Sequence, residues 1–102
     1  MAAFYNTARL VGHELTHAIA HAKSQEATIL LMFNNSFRTA TPSQIQSELA
    51  AYGKRWPITS VRRAMSNLTE DGALEKTDHQ RPGPYGMPEH IWQLATNPEK
   101  QS

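Results

Sequence analysis

Apolar positions recur at spacings of three and four from Phe4 to Ala22. Phe4, Ala8, Val11, Leu15, Ala18 and Ala22 share one stripe, and Ile19 widens it. That period predicts a helix. Gly12 costs the helix about 1 kcal/mol relative to alanine, and no proline breaks it. Several stripe members are alanine, so the face admits close approach of another helix. That partner is either the chain's own domain or a second copy of the chain. Ser24 to Asn34 predicts a second helix, or a continuation of the first. Ala27, Ile29, Leu30, Leu31, Met32 and Phe33 make it apolar nearly all round, the pattern of a central buried helix. Phe37 to Ala40 predicts a short extended piece.

Thr41-Pro42-Ser43-Gln44 is the clearest start signal in the chain. It places a hydroxyl at N-cap, proline at N1 and glutamine at N3, a capping box with a pre-set first turn. Ile45, Leu49 and Tyr52 form one face of that helix, and Gly53 stands where a C′ glycine belongs. After the short turn Lys54 to Pro57, a fourth helix runs from about Thr59 to Asp71. Val61, Ala64, Met65 and Leu68 supply its core face, and Gly72 its C′ residue. Ala73 to Thr77 predicts a strand. His79 to Glu89, dense in proline and glycine, predicts a loop. His90 to Ala95 predicts a returning strand with Trp92 and Leu94 on one face. The polar segment from Thr96 is expected to be a disordered tail. No internal repeat and no low-complexity tract interrupts this order.

Composition narrows the class. With 102 residues, 39% hydrophobic and 19% charged, the chain is one small globular domain rather than a disordered segment. Cysteine is absent, so disulfides are excluded and a zinc site would need histidine and carboxylate ligands. The longest apolar run, Ile29 to Phe33, is too short to span a bilayer, and the N-terminus has no signal-peptide core. A soluble, cytoplasmic protein is expected. The net charge of +1 says little, but its distribution says more. Arg38, Lys54, Arg55, Arg62 and Arg63 face only Glu48 between Phe37 and Leu68, and the next ten residues are acidic. This is either ordinary solvated surface or a basic face that meets phosphate.

The strings TPSQIQSELAAYG, ITSVRRAMSNLTEDGALEKT and EHIWQLA together resemble a winged helix-turn-helix domain. The likeness covers Ser24 to Ala95, and it resembles bacterial and phage regulators more than any one family. It implies an α+β fold: a helical core with a small antiparallel wing sheet, plus an N-terminal helix. The implied division is residues 1–23 as a dimerisation helix, 24–95 as the winged domain and 96–102 as tail. It also implies binding of double-stranded DNA, with the fourth helix in the major groove and the proline/glycine loop as the wing.

Helix geometry gives an independent check. At about 100° per residue, the side opposite Val61 and Leu68 holds Thr59, Arg63, Ser66 and Glu70, flanked by Arg62 and Asn67. Arginine suits guanine and asparagine adenine, while serine and threonine suit base edges or phosphate. The candidate DNA-binding set is Thr59, Ser60, Arg62, Arg63, Ser66 and Asn67 on the helix, Lys54 and Arg55 at the turn, and Arg81 in the wing with help from His79. Glu70 opposes phosphate from two turns along. Trp56 is expected to pack beside Pro57, and Tyr85 to anchor its turn. No cofactor is expected.

One motif points elsewhere. Leu10 to Ile19 contains His13-Glu14-Leu15-Thr16-His17, a full His-Glu-x-x-His that resembles the zinc-metallopeptidase signature. On a helix, His13 and His17 lie one turn apart and can share a zinc ion, with Glu14 as general base. A third ligand is missing at the usual spacings: position 23 is Lys23, Glu26 is too near and Glu48 lies on another helix. His21 extends the column to two turns, too far for all three histidines to reach one ion. The sequence therefore favours a non-enzymatic, DNA-binding homodimer, with a role in transcription or in phage or mobile-element biology. A winged protein-interaction module is the second reading, and a small zinc hydrolase the third.

Overall fold

The computed structural model describes residues 12–95. It contains helices α1 (Gly12–His21), α2 (Gln25–Asn35), α3 (Pro42–Ala51) and α4 (Ile58–Glu70). Strand β1 (Thr39–Ala40) lies between α2 and α3, and β2 (Leu74–Pro82) and β3 (Pro88–Leu94) follow α4. The class is α+β, as the sequence predicts. Among the described residues no helix is long and apolar enough to cross a membrane.

Ser24 decides that α1 and α2 are separate helices. Its backbone is extended, and its hydroxyl accepts from the Ala27 amide at 3.0 Å. The buried Thr28 hydroxyl donates to the Ser24 carbonyl at 2.9 Å. Helix α2 buries Thr28, Ile29, Leu30, Met32 and Phe33 and packs against α1, α4 and β3. It is the central helix that its all-round apolarity predicts.

The capping box of α3 forms in full. Thr41 Oγ1 accepts from the Gln44 amide at 3.2 Å, and the Thr41 amide donates to Gln44 Oε1 at 2.9 Å. Helices α3 and α4 end in the same way. Gly53 (φ 87°) and Gly72 (φ 86°) take left-handed backbone. Lys54 N–H then reaches the Leu49 carbonyl, and Ala73 N–H the Leu68 carbonyl, both at 2.9 Å. Both glycines stand at C′, and the two bonds satisfy carbonyls the helices leave open.

The strands form one antiparallel sheet in the order β1-β3-β2, with Ala40 opposite Trp92 and Leu74 opposite Leu94. Most of the segment expected as a loop is strand. Pairing continues through Gln80–His90, Arg81–Glu89 and Pro82–Pro88, which leaves residues 83–87 as the turn. The prolines sit at strand ends, where a missing donor costs least. The ladder survives a register shift between Lys76 and Gln80. There Thr77 Oγ1 donates to the Ile91 carbonyl at 2.8 Å and accepts from the His79 amide at 3.2 Å.

Ile29, Met32, Ile45, Leu49, Val61, Met65 and Leu74 are fully buried at the centre of one core. Leu15 and Ile19 of α1 join the same core. Of the described stripe, Leu15 and Ile19 are thus covered by the chain itself, and Ala18 and Ala22 are half-buried. Phe4, Ala8 and Val11, together with the tail from Thr96, lie outside the described residues.

Candidate nucleic-acid interface

Helix α4 buries Val61, Ala64, Met65 and Leu68 and exposes Thr59, Arg62, Arg63, Ser66, Asn67 and Glu70. This is the division its spacing predicts. Ser60 is half-buried. The exposed arc has two edges with different neighbours. On one edge, Arg62, Ser66, Thr69 and Glu70 line a groove of about 470 Å³ with Lys76, Glu89, His90 and Trp92 of the β2–β3 hairpin. On the other, α4 packs against α2.

Each edge is held by a carboxylate. Arg62 Nη2 lies 3.8 Å from Glu89 Oε2. Asn67 Nδ2 donates to Glu26 Oε2 at 3.0 Å, and this bond, more than any other influence, draws the Glu26 carboxyl below its usual range. Asn67, expected to face a base, is therefore turned to α2, because its position on the helix is nearest that neighbour. Thr59 and Arg63 remain between the edges, and Ser66 stays exposed on the groove side. Among the described residues Arg55 and Arg63 make no ion pair or side-chain hydrogen bond.

The turn before α4 is built firmly. Gln46 Nε2 donates to the Trp56 carbonyl at 3.0 Å, and Lys54 Nζ lies 5.9 Å from the centre of the Trp56 ring. Trp56 packs at the edge of the core. Pro57 is the N-cap of α4 and supplies no side-chain cap. Its carbonyl accepts from the Ser60 and Val61 amides at 3.0 and 3.2 Å, which leaves the Ile58 and Thr59 amides uncapped.

The hairpin is fixed to both neighbouring helices. Trp92 Nε1 donates to Thr69 Oγ1 at 2.9 Å, which ties β3 to α4. Arg81 Nη1 donates to Gln44 Oε1 at 3.0 Å, the same oxygen that closes the α3 capping box. Its strand neighbour Glu89 accepts from Ser43 Oγ at 2.6 Å and from the Ser43 amide at 3.4 Å. Two adjacent strand residues thus grip the first turn of α3. At the hairpin tip Tyr85 is 94% exposed and Met87 70%. This overturns the expectation from sequence that Tyr85 anchors its turn. Gly86 (φ 82°) makes the turn, with its amide on the Gly83 carbonyl at 3.0 Å.

His13, His17 and His21 are exposed on α1, the rings of His17 and His21 4.3 Å apart. Among the described residues no three histidine, aspartate or glutamate side chains gather to hold a metal ion.

Glu89, Ser43, Gln44 and Glu26 are the members of this surface that sequence reasoning misses. Ser43 and Glu89 are 46 positions apart, and no local pattern connects them. Comparison with known protein families, with curated proteins and with solved structures finds no match.

Proposed function

We propose that this chain binds duplex DNA as a winged helix-turn-helix protein, with α4 as the recognition helix and the β2–β3 hairpin as the wing. The observation that carries the reading is the exposed arc of α4. Its apolar side is wholly used by the core, and Thr59, Arg62, Arg63 and Ser66 face outward beside a rigidly attached hairpin. An α-helix fits the major groove, and these side chains suit base edges and phosphates. Arg55, Lys54 and the uncapped Ile58 and Thr59 amides of α4 supply phosphate contacts at one end. The sheet order β1-β3-β2 and the helix-turn-helix of α3 and α4 are compatible with this fold.

The role is regulation of transcription or handling of phage or mobile-element DNA, in the cytoplasm. The proposal includes pairing of two copies through the N-terminal segment, which would present two recognition helices to successive half-sites. It assigns no catalysis to His13, Glu14 and His17. A mobility-shift titration with mixed genomic duplex tests the proposal: a shift that weakens steeply with salt is expected. Absence of any shift at low salt removes it and moves the protein-interaction reading ahead.

A further inference from the structure

We infer that Glu89 is a positioning residue that aims Arg62 at a base, so that it sets sequence discrimination at the expense of general affinity for DNA. The inference rests on the DNA-binding reading of α4. A carboxylate within a surface that meets phosphate repels DNA, so a surface built only for affinity would not hold one. Here the carboxylate is held by its neighbours. The Glu89 side chain is 9% exposed, while that of Arg62 is 55% exposed. Ser43 holds both Glu89 oxygens, one through its hydroxyl at 2.6 Å and one through its amide at 3.4 Å. The hairpin turn closes over the other side. A Cβ on Gly83 would come within 3.2 Å of Glu89 Cγ and Cδ, tighter than ordinary contact, so the turn packs closely on this side chain.

Arg62 Nη2 lies 3.8 Å from this fixed anion. A guanidinium carries five donors in a rigid fork. The ion pair with Glu89 biases the guanidinium toward one side of the groove without using its donors in a hydrogen bond, and so leaves them to reach a guanine edge. Arg63, one residue on, is exposed and has no carboxylate partner among the described residues. The two adjacent arginines therefore divide the work. Arg63 adds attraction to any duplex, and Arg62 adds preference among duplexes.

The test is Glu89→Gln. Glutamine keeps an acceptor for the Ser43 hydroxyl but removes the charge that holds Arg62. Anisotropy would compare a duplex selected from a random-sequence pool with a scrambled duplex of the same length. Binding of the scrambled duplex should tighten, because a negative charge is gone. The ratio between the two duplexes should fall by about fivefold or more, the lower range of one lost base contact. In an Arg62→Ala background the same change should leave the ratio unaltered. If Glu89→Gln perturbs folding, Arg62→Lys serves instead, since lysine keeps the charge but lacks the fork, and the ratio should again fall. An unchanged ratio, or equal weakening of both duplexes, overturns the inference. A wild-type protein that binds no duplex removes the DNA-binding reading and this inference with it, whereas binding with a ratio insensitive to Glu89 removes the inference alone.

Discussion

The Asn67 amide on α4 and the Glu26 carboxylate on α2 meet at 3.0 Å and close one edge of the exposed arc. The bond stabilises the ionised carboxyl, so the folded-state pKa of Glu26 lies below its unfolded value. The stabilisation is complete above the unfolded pKa and is lost as pH falls through the folded one. Thermal unfolding should therefore show a shallow acid-side loss of stability that Asn67→Ala removes. The bond is exposed, so the effect at neutral pH is small, about 0.5 kcal/mol. Asn67→Ala should weaken DNA binding less than Arg63→Ala. A larger effect at Asn67 in anisotropy would mean that the amide leaves Glu26 to read a base.

Gly83 faces a different constraint from Gly86. A Cβ on Gly83 would lie 2.8 Å from the Met87 carbonyl oxygen, part of the backbone that closes the turn. Gly86 has open space around it but positive φ. Gly86→Ala should cost about 1–2 kcal/mol, the price of left-handed backbone for an L-residue. Gly83→Ala should cost at least as much and also disturb Glu89. Denaturant melts of the two variants give the stability difference, and the selected-to-scrambled DNA ratio should drop for Gly83→Ala alone.

Local signals in the sequence predict the helices well. The capping box spans four residues, Thr41 to Gln44, and the stripe of α4 repeats within two turns, so each is legible without tertiary context. The hairpin is not. Thr77 to Arg81 is polar, lacks alternation and contains the register shift, so the strand period is hidden until Thr77 bonds across to Ile91. The edges of the candidate interface are equally invisible. The positions of Arg62 and Asn67 on the helix are readable, but their carboxylate partners come from distant elements, Glu89 on β3 and Glu26 on α2.

Leu15 and Ile19 carry a prediction about assembly. Both are buried in the core of their own chain. Ile19→Ala should destabilise the fold by about 2–4 kcal/mol. Leu15→Asp should unfold it rather than yield a folded monomer, because an unpaired charge would be buried. The proposed pairing of two copies would then draw on Phe4, Ala8 and Val11, which lie outside the described residues. Light scattering of the wild type should give twice the 11.4 kDa chain mass. A single-chain mass removes the dimer and the expectation of a palindromic site.

Glu14 separates the DNA-binding reading from zinc chemistry. Glu14→Gln should leave DNA affinity unchanged. Elemental analysis of protein purified without added metal should find far less than one zinc per chain. Stoichiometric zinc, with a peptidase activity that Glu14→Gln abolishes, would reverse the ranking of the two.

In the proposed complex the exposed arc of α4 meets duplex DNA. The most direct test of that contact is the affinity of Arg62→Ala with Arg63→Ala for a labelled duplex across a salt series, read by anisotropy. Both side chains point away from the core, so the double variant should melt close to wild type. Its binding should weaken by roughly tenfold or more at moderate salt, in line with about 1–3 kcal/mol for a good base contact. The slope of affinity against salt should become shallower as phosphate contacts are lost. A folded double variant with wild-type affinity and wild-type salt slope would contradict the account.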